Sequence, residues 1–252
     1  MIRVHLAPIG STIAGAAAVA LLTAVTLHGR AFQPPVGGWL AALGYLLISN
    51  ALLIRGLHRR RSARFGWANI VTAVRSTLVG AIAGVVVASF STPIPIALLV
   101  GLVVPALVLD AVDGWVARHT GTASELGARF DMEVDAFLLL ALSVYVAQTL
   151  GLWVLAIGMM RYAFVAAGLL LPWLRRQLPP RYWRKVVTAV QGIALTITAT
   201  RLLPGIDIVL VVIALGLLAE SFGRDAVWLT IRRTAAESVP KALPAQSSRR
   251  GS

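Results

Sequence analysis

The chain has 252 residues, 58% of them hydrophobic and 13% charged, with a mean hydropathy of +0.82, far outside the range of soluble globular proteins. It contains no cysteine, which excludes a disulfide framework and thiolate metal sites. The net charge of +13 does not indicate nucleic acid, because the basic residues form short clusters between apolar runs, the pattern that orients helices in a bilayer.

Apolar runs of roughly 17 to 25 residues recur, each long enough to cross about 30 Å of hydrocarbon as a helix, and none alternates as a barrel strand would. The expected architecture is an all-α polytopic membrane bundle of about eight spans. The first, about 12 to 29, follows Arg3 and His5 as a signal peptide would, but no small-x-small cleavage site closes it, so it is expected to stay. Next come spans at about 37 to 57, 68 to 89, 94 to 117, 127 to 150, 153 to 174, 186 to 203 and 205 to 230.

Arg59, Arg60, Arg61 and Arg64 follow the second span. Arg175, Arg176, Arg181, Arg184 and Lys185 follow the sixth, and Arg232, Arg233, Lys241, Arg249 and Arg250 the eighth. All three clusters fall on one side, which the positive-inside rule makes cytoplasmic, together with both termini and the link between the fourth and fifth spans. From Glu237 the tail lacks apolar periodicity and is expected to be disordered. Trp67, Trp153 and Trp228 lie near span ends, as interfacial anchors do.

That link carries "DAVDGWVARHTGTASELGARFDMEVD", from Asp110 to Asp135, with six acids. On a helix Asp110, Asp113, Gly114, Ala117 and Arg118 share a sector of roughly 140°, while Gly127, Asp131 and Asp135 share roughly 80° of the next helix. An aspartate facing mid-membrane lipid costs about 2.5 to 3.5 kcal/mol, so four would cost on the order of 10 kcal/mol. They must line an aqueous cavity or bind cations. A hard divalent cation, magnesium above all, is the natural counter-charge, since four neighbouring carboxylates repel one another. The small residues leave room for a bulky ligand. Glu125, in the turn, and Glu133, about 160° from Asp135, are assigned to solvent.

The spacing Asp110-x2-Asp113-Gly114-x2-Ala117-Arg118-x8-Gly127-x3-Asp131-x3-Asp135 resembles the full signature of the CDP-alcohol phosphotransferases, or CDP-alcohol phosphatidyltransferases. "ANIVTAVR" adds Asn69, Thr72 and Arg75 where members often show N-x2-T-x2-R. The resemblance covers about 67 to 230 as a six-helix catalytic domain. It leaves about 1 to 66 as two additional N-terminal spans with a basic loop, and 231 to 252 as a basic tail.

The resemblance implies transfer of the phosphate-containing half of a CDP-linked donor, usually CDP-diacylglycerol, to an alcohol with release of CMP, in phospholipid synthesis. Asp110, Asp113 and Asp131, with Asp135 sharing, would hold Mg2+ or Mn2+. Asp135 would be the general base. Gly114, Ala117, Arg118 and Gly127 would form the nucleotide pocket, with contacts from Asn69 and Thr72. A homodimer is compatible with the family, though no residue demonstrates one.

The acceptor is less legible. Arg161 lies within the sixth span and should face the interior, either paired with Glu220 or Asp225 or gripping an acceptor phosphate. "RKVVTAVQ", with Lys185, Thr188 and Gln191, partly resembles the G-K-x-K-T-x2-Q stretch of phosphatidylglycerophosphate synthases, with Arg184 and Val187 departing from it. Glycerol 3-phosphate leads, ahead of other polyol phosphates and serine. Arg224 and Glu220, one turn apart, are expected to pair. A membrane prenyltransferase and a non-enzymatic cation pathway are the competing readings.

Overall fold

The structure, a computed structural model, describes residues 34–60, 67–120, 125–171 and 182–237, and it is all-helical there. The helices are α1 (Val36–Arg60), α2 (Trp67–Ala88), α3 (Ile96–Thr120), α4 (Glu125–Leu150), α5 (Leu155–Leu170), α6 (Tyr182–Thr200) and α7 (Ile206–Glu237), with a 3-10 turn at Leu152–Val154 before α5. They coincide with the second to eighth predicted spans to within a few residues, except that α7 runs on to Glu237. The first predicted span lies outside the described residues. Glu125 begins α4 instead of sitting in the turn.

Two segments, Leu152–Leu170 and Ile206–Ile231, are long and apolar enough to cross a membrane unaided, and Val36–Leu52, Val74–Ala88 and Ile96–Val112 are shorter apolar stretches. Most of each long segment is not buried inside the protein. An apolar exterior on this scale is what lipid, not water, tolerates. The remaining helices α4 and α6 hold polar residues inward: Ser143, Gln191, Thr196 and Thr198 are all buried. Ser143 donates to Leu139 and Thr196 to Gly192 within a helix, and Gln191 Nε2 donates to Ala214 across to α7 at 2.7 Å, while Thr198 Oγ1 and Gln191 Oε1 find no hydrogen-bond partner among the described residues. Buried polar groups satisfied in this way add little cost to an apolar interior.

The helices α2 and α4 are the hubs. Helix α2 packs on α1, α3 and α4, while α4 packs on α2, α5 and α6, and α6 closes the bundle against α3 and α7. Val79, Ile82 and Val86 of α2 meet Leu99, Val103 and Ala106 of α3 and Val134, Leu138, Leu142 and Val146 of α4 in one buried core. Among the described residues α3 and α4, though consecutive, touch little along their length and lie against α2 and α6 instead. Pro105, inside α3, is exposed, so the helix hydrogen bond it forfeits falls on the outer face.

Small residues set the closest approaches. A Cβ on Gly84 of α2 would stand 2.8 Å from the Gly38 carbonyl oxygen of α1 and 3.1 Å from Ala42 Cβ. Gly38 meets Gly84 reciprocally, the small-on-small contact by which membrane helices gain dispersion energy. A Cβ on Gly158 of α5 would lie 2.5 Å from Leu140 Cα, so only glycine permits that α4–α5 distance. Polar contacts reinforce the α1 seam: Ser49 and Ser76 hydroxyls lie 3.2 Å apart, and Tyr45 of α1 stacks on Phe137 of α4 with ring centroids at 4.3 Å.

Candidate active site

Three of the predicted acids converge. Asp110 arrives from α3, and Asp131 and Asp135 from successive turns of α4, each offering an oxygen within 4.8 Å of the others. The four-residue spacing stacks the two α4 carboxylates on one face, and the α2 wedge between α3 and α4 brings Asp110 to meet them. Asp135 is the most enclosed, its side chain 25% exposed, against 33% for Asp131 and 42% for Asp110. Helix α3 continues ten residues past Asp110 to Thr120, and α4 begins ten residues before Asp135. At 1.5 Å per residue Asp110 and Asp135 are therefore set about 15 Å in from those helix ends, and Asp131, six residues into α4, about 9 Å.

At the centre stands Arg75 of α2, a residue the sequence reading quoted but gave no role. Its side chain is fully buried. Nη1 donates to Asp110 Oδ1 at 2.6 Å, and Nη2 donates to Asp135 Oδ1 at 2.9 Å, to Asp131 Oδ1, and to the Asp131 backbone carbonyl at 3.3 Å. A signal for it was present: Arg75 is a lone cation within the apolar run of α2, and such a residue must face charge inside the bundle.

Asn69 and Thr72 belong to α2, and Asp113, Gly114, Ala117 and Arg118 to α3, but their side chains lie outside the described residues. Gly127, half-buried, is one turn before Asp131 on α4. Arg161 is paired with Glu133 of α4, not with Glu220 or Asp225. Glu133 is half-exposed, as a solvated residue would be, but it is not without a partner: α5 packs against α4 and brings its arginine there. Glu220 pairs with Arg224 as expected and also accepts from Trp183 Nε1 at 3.1 Å, while Asp225 pairs with Arg184 at 3.2 Å. Lys185 is exposed near the start of α6, and no described interaction joins it to the aspartates.

The donor set suits a divalent cation on its chemistry. Three carboxylate oxygens are hard ligands of the kind magnesium and manganese prefer, and a guanidinium already engages all three carboxylates, so the position is organised for positive charge. An all-helical chain with apolar outer faces and an inward carboxylate cluster that could hold a hard cation has the features of a membrane protein with a polar site inside its helix bundle. The family model for CDP-alcohol phosphatidyltransferase matches residues 65–220, and the chain belongs to that family. It is accordingly a transferase of substituted phosphate groups. No curated protein matches the chain, and neither does any solved structure.

Proposed function

We propose that the protein transfers a phosphatidyl group from CDP-diacylglycerol to an alcohol, glycerol 3-phosphate first among the candidates, at the cytoplasmic side of an inner membrane. The observation that carries this reading is the meeting of Asp110, Asp131 and Asp135 in one cluster inside an apolar bundle, within the matched family region. A diphosphate headgroup with two acyl chains needs such a place: charge-compensating groups inside, lipid-facing helices outside. Residues 67–230 form the six-helix catalytic unit, with α1 and the first predicted span added before it and a basic tail after it.

Asp110, Asp113 and Asp131, with Asp135 sharing, would hold Mg2+ or Mn2+, which would supply charge neutralisation for the donor diphosphate and the leaving CMP. Gly114, Ala117, Arg118 and Gly127, with Asn69 and Thr72 across on α2, receive the cytidine nucleotide; the small residues admit it close to the backbone. The acceptor oxygen forms its bond to the donor phosphorus as the bond from that phosphorus to the CMP oxygen breaks. Asp135 takes the acceptor's hydroxyl proton. Arg75 engages Oδ1 of Asp135, which leaves Oδ2 for that proton. Positioning and charge neutralisation suffice for transfer of this kind, without a covalent enzyme intermediate.

Arg161 binds the acceptor phosphate. It is one-third exposed, and its partner Glu133 is half-exposed, so an incoming dianion can compete for the guanidinium. Lys185, near the start of α6, adds positive charge for the same group. The deciding experiment offers purified protein CDP-diacylglycerol with a panel of alcohols and identifies the lipid product by mass spectrometry. Formation of phosphatidylglycerophosphate with equimolar CMP is expected, and absence of CMP release with every acceptor would refute the reading.

A further inference from the structure

The carboxylate cluster contains more order than a metal site without its metal has reason to keep. Three acids brought together in an apolar bundle repel one another, and nothing in their own chemistry holds them near. Arg75 supplies what is missing. It reaches all three carboxylates, it comes from a third helix, and its two terminal nitrogens divide between Asp110 on α3 and Asp131 and Asp135 on α4. Its Nε has no partner, so the guanidinium spends its bonds spanning the two acid-bearing helices instead of gripping one carboxylate side-on.

We propose that Arg75 is the resident counter-cation of this site, a positioning residue that holds Asp110, Asp131 and Asp135 together when no metal is bound and competes with the metal for their oxygens. This rests on the metal reading above. The geometry supports it: one guanidinium reaches an oxygen of each of the three described carboxylates, the same oxygens a metal would need. The neighbouring residue Ser76 is tied to Ser49, and α2 is seated against α1 at Gly84, so the arginine is presented from a braced segment and not from a loose one. Arg75 thereby limits how tightly the site holds metal, and it spares the metal-free protein from splaying α3 and α4.

The test compares wild type with Arg75→Gln and Arg75→Lys in detergent, by thermal unfolding in EDTA and by calorimetric titration with MgCl2. Without metal, R75Q should melt lower than wild type by about 5 °C or more, since uncompensated carboxylates are stranded in a buried setting. Saturating Mg2+ should restore most of that loss, and R75Q should bind Mg2+ about tenfold more tightly, because a competing positive charge at contact distance is gone. R75K, which keeps the charge without the fork, should fall between. A R75Q protein whose deficit Mg2+ does not reduce, or one that melts and binds Mg2+ as wild type does, would overturn the proposal. Wild-type protein that takes up no Mg2+ would instead sink the metal reading, a result distinct from both. If R75Q cannot be purified folded, R75K decides: unchanged Mg2+ affinity and unchanged metal-free melting would overturn the proposal.

Discussion

Two clusters of charge stand out among the described residues, and their arithmetic differs. Where α6 meets α7, Arg184 pairs with Asp225 and Arg224 with Glu220, two cations with two anions. Where α2, α3 and α4 meet, one arginine faces three aspartates. A balanced pairing brackets helices together. An excess of one sign among the described groups is instead what a bound cation can meet, and this contrast distinguishes a structural use of ionic groups from a functional one. The Arg161–Glu133 pair is balanced too, yet it is partly exposed and can be opened by a stronger anion.

Substitutions can break this contrast, and the largest effect is expected at the unbalanced cluster. Asp135→Ala should lower CMP release from CDP-diacylglycerol by about a thousandfold or more, as loss of a general base does, while the protein still purifies as a folded species. EDTA should abolish wild-type turnover and added Mg2+ should restore it, read in the same assay. At the balanced but openable pair, Arg161→Ala should raise KM for glycerol 3-phosphate about tenfold, the scale of one charge-assisted hydrogen bond, with kcat little changed. Similar KM values in the two proteins would return Arg161 to a purely structural role.

The α6–α7 bracket should answer in stability and not in chemistry. Asp225→Asn removes the nearly buried charge that faces Arg184 and should cost about 1 to 3 kcal/mol, less than a fully buried pair because Arg184 is one-third exposed. Its turnover per folded molecule should match wild type. Smallest of all, Arg224→Gln removes an exposed i,i+4 pair and should shift stability by only about 0.3 to 0.5 kcal/mol in denaturant titration.

The convergence of Asp110, Asp131 and Asp135 was legible because helical periodicity alone fixes which residues share a face, and the expense of an acid in lipid says that the faces must meet. The partners of the arginines were not. The place of Arg75 depends on a third helix wedged between two others, a contact across 35 to 60 residues that no wheel drawn on α3 or α4 contains. Glu133 illustrates the same limit: its direction away from Asp135 was read correctly, but direction says nothing of what waits there, and α5 brings Arg161. The assignment of Arg161 to Glu220 or Asp225 failed because those acids already had nearer cations on α6 and α7. The helices themselves were readable nearly end to end, since lipid-length apolar runs separated by basic clusters leave few alternatives.

One seam reaches beyond the family's own boundary. The matched region starts at residue 65, yet α1 ends at Arg60 and lies wholly before it. Through Gly38, Ser49 and the Tyr45–Phe137 stack, this outlying helix grips both the helix that carries Arg75 and the helix that carries Asp135. The unit the family model covers and the unit that packs together in this chain therefore differ by at least one helix. A version trimmed to the shared part would keep every signature residue and lose the wall they lean on.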